Sequence, residues 1–151
     1  MDKELDELLE LVERGLVSRY NHICKQSPKS GPFMYKNETI RGFDGETIHS
    51  AMRHGTQAIG ILGIAECMQA MFGKNHIDEE VRDFALDITK HIKQFCTEAS
   101  DRNDLNFTEY FTPAESCCHT ICKKTRDEFG VIENITDKEF FTNSIHVPVW
   151  E

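Results

Sequence analysis

Nine apolar residues decide more about this chain than any other pattern in it. Ile77, Val81, Phe84, Ala85, Ile88, Ile92, Phe95, Cys96 and Ala99 recur at steps of three and four, with charged residues between them. That period is helical, and it predicts one long helix over about 78–101. Asp78, Glu79 and Glu80 stand at its start, where the positive end of the helix dipole favours acids. A stripe of that length needs partners along it. Leu5, Leu8, Leu9, Val12, Leu16, Tyr20 and Ile23 predict a second amphipathic helix over 3–25. Residues 55–73, GTQAIGILGIAECMQAMFG, are apolar almost all round, broken only by Gln57, Glu66 and Gln69, and read as a buried helix. Gly60 and Gly63 each cost such a helix roughly 1 kcal/mol, so another backbone is expected to pack closely against that face.

The remaining segments read as loops, strands and one more helix. Residues 27–46, SPKSGPFMYKNETIRGFDGE, predict a long loop with a short extended piece around Phe33 to Tyr35. A structureless stretch of this length is unusual in a compact domain, which points to a functional loop or one that belongs against another surface. Phe107, Thr108, Tyr110 and Phe111 favour a strand over 105–111. Thr112-Pro113-Ala114-Glu115 matches a capping box with proline at the first helical position, and the helix it opens should stop near Phe129-Gly130. The tail EFFTNSIHVPVWE is rich in aromatic and β-branched residues and reads as extended, apolar up to Trp150. A bare apolar edge is an aggregation hazard, so the chain reads as cut from something longer. The order, helices and then strand, helix, strand, gives a helix-rich α/β class.

Composition narrows the function classes. A chain of 151 residues suits one domain or a piece of one. With 26 Asp+Glu against 17 Lys+Arg, a net charge of -9 and basic residues scattered among acidic ones, nucleic acid is not an expected partner. The N-terminal MDKELDELLELVERG is acidic and amphipathic, unlike a signal peptide, and no run approaches the ~18 apolar residues of a membrane span. The expectation is a cytoplasmic protein without a membrane partner. Six cysteines, at 24, 67, 96, 117, 118 and 122, include no Cys-x-x-Cys pair and read as free thiols. Asn-x-Ser/Thr triplets at Asn37, Asn106 and Asn134 are then chance matches.

Three places could carry chemistry, each with a plainer alternative. A strand running into a helix start presents free amides and a dipole to one point; the capping box uses two of those donors, but the amides of Ala114 and Ser116 could hold a phosphate oxygen, or the turn is only a cap. In CCHTIC, Cys118, His119 and Cys122 share a helix face and could offer soft ligands, although a zinc set needs another ligand from elsewhere and packed thiols are the simpler reading. Glu66 is either a buried tuned acid or, as we expect, a polar residue on the rim of its helix; His54, His76 and His91 read as surface residues. Asn143, Ser144 and His146 cluster hydrogen-bonding groups that could read a substrate or satisfy backbone beside Pro148. From the residues alone the function stays unassigned.

The order of three stretches carries a resemblance. GTQAIGILGIAECMQAMFGKNH, LNFTEYFTPAES and FGVIENITDKEFFTNSIHVPVW resemble successive signatures of the anaerobic, class III ribonucleoside-triphosphate reductases. The family's corresponding stretches look like a Gly-Thr-x-x-Ile-Gly-Phe-x-Gly-Leu-x-Glu helix, an Asn-Phe-Thr-x-x-x-Thr-Pro-Ala-Glu turn and a Thr-Asp-x-x-Tyr-Tyr-Thr-Asn-Ser-Phe-His-Val-Pro-Val segment. The resemblance covers nearly all of residues 3–150. It implies an oxidoreductase that makes deoxyribonucleotides for DNA synthesis from ribonucleoside triphosphates by thiyl and glycyl radical chemistry, on a ten-stranded α/β barrel. It also implies formate as reductant and a separate activase with S-adenosylmethionine and an iron–sulfur cluster.

On that resemblance residues 1–151 would be a single central-to-late segment of the barrel, without the N-terminal regulatory region, the thiyl cysteine or the glycyl radical loop. No catalytic residue and no metal site is then expected here. Thr112, Ala114, Glu115 and Ser116 would face the substrate phosphates, and Asn143, Ser144 and His146 would lie near the barrel mouth. One departure stands out: Ser116-Cys117-Cys118-His119-Thr120 replaces a Gly-Leu-Ser-Gly-Arg stretch, so Thr120 stands where many members carry arginine. Exposed apolar faces make a homodimer the expected assembly. Competing readings are a non-catalytic helical interaction module and a small metal-binding protein using Cys118, His119 and Cys122.

Overall fold

The structure, a computed structural model, describes residues 3–37 and 39–143. The elements run α1 (Lys3–Cys24), a 3-10 turn (Pro28–Ser30), α2 (Pro32–Lys36), α3 (Ile48–Met52), β1 (Thr56–Ile61), α4 (Ile64–Phe72), α5 (Glu79–Asn103), β2 (Asn106–Phe111) and α6 (Glu115–Phe129). Two compact units share the chain: Met1–Ile59 with Ile92–Thr108, and Gly60–His91 with Glu109–Glu151. No helix among the described residues is long and apolar enough to cross a membrane.

In the first unit, α1 packs against α3, and Leu9, Tyr20, Ile48, Ala51, Ile59, Ile92, Cys96, Ala99 and Phe107 are buried. Glu13 of α1 accepts from Arg102 (2.8 Å) and from Asn103 (2.7 Å), which ties the first helix to the end of α5. Helix α5 closes on Asp104, whose φ of 50° is the left-handed turn that ends a helix, and the Ser100 hydroxyl accepts from the Phe107 amide (2.9 Å) as the chain enters β2. The stretch 27–46 is more ordered than its composition suggests. Pro32, with its φ already suited to a first helical position, opens the short α2 over the residues expected to be extended. Asp44 accepts from the amides of Glu46 (2.8 Å) and Thr47 (2.7 Å), and these bonds hold its carboxyl far below the usual range.

The structure corrects the reading of 55–73 as one helix. Residues 56–61 alternate exposed and buried, with Gln57, Ile59 and Ile61 inside, and this period of two is a strand. Gly63, at φ 77°, takes a left-handed conformation that no helix interior tolerates, and α4 starts only after it. Met68 of α4 then packs with Val81 and Ala85 of α5, flanked by Ile64, Cys67 and Ile88.

β1 and β2 form a two-stranded sheet. The Asn106 side chain reaches the Gly55 carbonyl at one end, and the Thr112 amide reaches the Ile61 carbonyl at the other. Starts therefore lie beside starts, and the strands are parallel. A parallel pair needs a long crossover, which α4 and α5 supply. The tail expected to be extended forms no strand over residues 139–143, and Ser144 to Trp150 lie outside the described residues.

Candidate functional site

The carboxyl ends of β1 and β2 lead directly into α4 and α6, so two helix starts open where two parallel strands finish. This is the position at which open α/β layers most often present ligand sites. The Thr112 amide donates to the Ile61 carbonyl (3.2 Å). Its side chain covers Gly60 so closely that a Cβ added to that glycine would lie 2.8 Å from the Thr112 methyl carbon. The backbone expected to pack against Gly60 is not what lies there: Gly60 belongs to a strand, and the side chain at the neighbouring strand end covers it.

That placement overturns the capping box. Thr112 is committed to the sheet, and the residue preceding the helix is Ala114, with φ -89° and ψ 68° and no side chain capping the turn. The Glu115 amide turns back to the Pro113 carbonyl (3.2 Å), and the Cys118 amide makes the first regular helical bond, to Ala114 (2.9 Å). Helix geometry gives the amides of Ser116 and Cys117 no acceptor within α6. Thr112 and Ala114 are half-buried, while Glu115 and Ser116 are exposed. Thr120, which stands in place of an arginine, returns its hydroxyl to the Ser116 carbonyl (2.9 Å).

The CCHTIC face of α6 has a definite task. Among the described residues no three His, Cys, Asp or Glu side chains gather as a metal site. Instead this face grips the segment that follows the helix. The Cys122 thiol (3.2 Å) and the Arg126 guanidinium (2.7 Å) both donate to the Lys138 carbonyl, His119 Nδ1 meets the Glu139 carbonyl (2.8 Å), and the Phe141 amide donates to the Cys118 carbonyl (3.3 Å). Cys118 and Cys122 are buried and Cys117 is exposed. Burial, with Cys117 and Glu66 nearby, pushes the Cys118 thiol up. Upstream, fully buried Thr136 closes the turn after α6 by accepting from Ile132 (2.7 Å) and donating to Gly130 (2.8 Å).

Across from α6, the same segment is held by Glu66, which the sequence reading placed on the rim of a helix. It is only 4 % exposed. The rim reading fails because α4 begins only two residues before the acid, so Glu66 sits in its first turn, facing inward toward the 138–142 segment. Its Oε1 accepts from the Lys138 ammonium, from the Thr142 amide (2.8 Å) and from the Thr142 hydroxyl (2.6 Å). The Thr142 carbonyl in turn accepts from the Gly63 amide (2.9 Å). Glu66 Oε2 is buried without a hydrogen-bond partner. Burial by itself would raise the Glu66 pKa, but the bonds from Lys138 and Thr142 outweigh it and hold the carboxyl below its ordinary 4.5.

Residues 61–63 thus join the two candidate groups, with Thr112 bonded to Ile61 and Thr142 bonded to Gly63. Asn143, half-buried, directly follows Thr142 in the chain. Ser144 and His146 lie outside the described residues. Of the histidines read as surface residues, His54 is exposed while His76 and His91 are half-buried. Sequence reasoning missed Lys138, Thr142 and the gripping role of His119 and Cys122. A lone acid in an otherwise apolar stretch was the available signal for Glu66, but its partner lies 72 positions away.

Comparison with known proteins agrees with this architecture. The family profile described as anaerobic ribonucleoside-triphosphate reductase matches residues 1–151. The chain belongs to the anaerobic ribonucleoside-triphosphate reductase family. It is 29% identical over 153 residues to the proteins of that name from Haemophilus influenzae and Escherichia coli, with 97% of this chain and 22% of each relative covered. The enterobacteria phage T4 protein of the same name is 26% identical over 150 residues. In three dimensions the chain resembles the crystal structure of the anaerobic ribonucleotide reductase from Thermotoga maritima. The TM-score is 0.64 at 18% identity, with 92% of this chain and 22% of that one covered. The chain therefore spans about a fifth of the length of the curated relatives it matches.

Proposed function

We propose that this chain is the segment of an anaerobic ribonucleotide reductase that helps hold the triphosphate of a ribonucleoside triphosphate. Thr112, Ala114, Glu115 and Ser116 would meet the phosphates, and Asn143, Ser144 and His146 are the further residues expected to bind substrate. The observation that carries the reading is the first turn of α6, uncapped by any side chain and opening at the carboxyl ends of paired parallel strands. Amides without intrahelical acceptors and the positive end of the helix dipole favour a phosphate oxygen there. Glu115 is exposed, so its carboxylate stands toward solvent, and its part in the site is through its backbone.

The wider reading follows from family membership. The intact enzyme makes deoxyribonucleotides for DNA synthesis by radical chemistry on an α/β barrel, of which this is a central-to-late part, and acts in the cytoplasm as a homodimer. The glycyl radical, the thiyl cysteine, formate as reductant and the S-adenosylmethionine-dependent iron–sulfur activase all act outside these residues. Cys118 and Cys122 are engaged with the 138–141 segment, which supports a structural role for them. Alone, the segment turns over no substrate.

Two experiments test these levels separately. Calorimetric titration of the chain with ATP, with adenosine as control, should show binding of the triphosphate alone, and Ser116→Glu should abolish it; equal binding of both ligands would remove the phosphate site. Reading the source gene on both sides should find an open frame continuing into a glycine-bearing radical loop, with a lone barrel cysteine upstream. A start at Met1 and a stop after Glu151 would withdraw the catalytic claim.

A further inference from the structure

We propose that Glu66 is a positioning residue that sets the place of Asn143 in the phosphate site by clamping Thr142 against the start of α4. This rests on the phosphate reading above and adds a residue to it that touches no substrate. Three bonds fix Thr142 on both sides of its backbone: its amide and hydroxyl donate to Glu66 Oε1, and its carbonyl accepts from Gly63. A residue held at amide, hydroxyl and carbonyl has little freedom left, and its neighbour Asn143 inherits that restriction. Lys138 donates to the same carboxylate oxygen from four residues upstream, so one acid anchors the segment at two points.

The opposite side of the segment is held only through its backbone, at residues before Thr142. Cys122, Arg126 and His119 bind backbone carbonyls of Lys138 and Glu139, and none of them reaches Thr142. The groups facing Glu66 are the Lys138 ammonium from the segment and the Cys118 thiol from α6, alongside the Thr142 hydroxyl. Gly63 completes the device. Its left-handed turn aims its amide at Thr142, and a Cβ there would lie 3.8 Å from Glu66 Oε2. Protonating Glu66 weakens the Lys138 pairing and two charge-assisted bonds together, so the clamp loosens as acid titrates it.

The test uses the isotope-labelled whole chain, observed by amide NMR during a pH titration and during addition of ATP. In the wild type the Thr142 amide signal should move as Glu66 protonates, and ATP should shift Ser116 and Asn143. In Glu66→Gln the pH-dependent movement should vanish, hydrogen exchange at Thr142 should quicken about tenfold, and ATP binding should weaken about fivefold, the loss expected for roughly one hydrogen bond. Amides of α5 should stay unmoved, which separates positioning from unfolding. Should Glu66→Gln fail to fold, Thr142→Val, which removes only the hydroxyl, must weaken ATP binding in the same direction. The proposal is overturned if Thr142 titrates and exchanges alike in wild type and Glu66→Gln, or if Thr142 loosens while ATP affinity holds. A wild type with an intact Thr142 titration but no ATP shift at Ser116 or Asn143 would instead sink the phosphate reading, and with it any substrate role for the clamp.

Discussion

Lys138 shows how much one side chain can depend on another far along the chain. It is 18 % exposed and faces a carboxylate that is almost wholly buried. Replacing it by methionine leaves Glu66 without its cation, and breaking a buried pair in this way costs about 3 kcal/mol. The loss should be greatest at neutral pH. The pKa of Glu66 is lowered by folding, so its contribution is fully present above its ordinary 4.5 and disappears as pH falls through the folded value. Denaturation of wild type and Lys138→Met should therefore differ at pH 7 and converge in acid; a constant difference would mean that the pair does not carry the effect. Thiol chemistry offers a second check at this scale. Mass spectrometry after brief alkylation of the folded chain should find Cys117 modified and Cys118 and Cys122 spared, because only Cys117 is exposed. Early labelling of Cys118 would contradict the packing of α6 on the 138–141 segment.

At the level of elements, period decided what could be read. The stripe from Val81 to Ala99 and the one over 5–23 each fall on a helix, Ile77 standing exposed in the turn before α5, and β2 and α6 also lie where the residues place them. The run 55–73 misled because Ile59, Ile61, Ile64 and Met68 are apolar on either period, and only the left-handed turn at Gly63 separates β1 from α4. The capping box misled for a related reason: Thr112 satisfies a sheet bond to Ile61, a partner 51 positions away that no local pattern announces. Two substitutions follow. Thr112→Ala should cost less than the ~1 kcal/mol typical of a lost cap, since no cap exists. Gly60→Ala should destabilise by about 1–2 kcal/mol, because the added methyl meets the stiff Thr112 side chain, and combination with Thr112→Ala should recover most of it. Additive losses in the double variant would show that the two residues do not touch.

For the whole molecule, the family was legible before the fold was, because three stretches in fixed order carry it. The site was legible only in half. Thr112 to Ser116 announce themselves as a strand running into a helix, whereas the clamp of Glu66, Lys138 and Thr142 unites parts of the chain more than 70 positions apart. Apolar side chains such as Phe33, Ile77 and Val131 stand exposed, which agrees with a segment that makes up 22% of its relatives' length. The central claim is that the strand ends and the start of α6 receive a triphosphate. The most direct measurement is a crystal structure of the chain soaked with ATP. Phosphate density within hydrogen-bonding distance of the Ser116 or Cys117 amide, with Asn143 beside it, is the predicted result. Well-ordered ATP elsewhere on the chain, with the first turn of α6 empty, would contradict it.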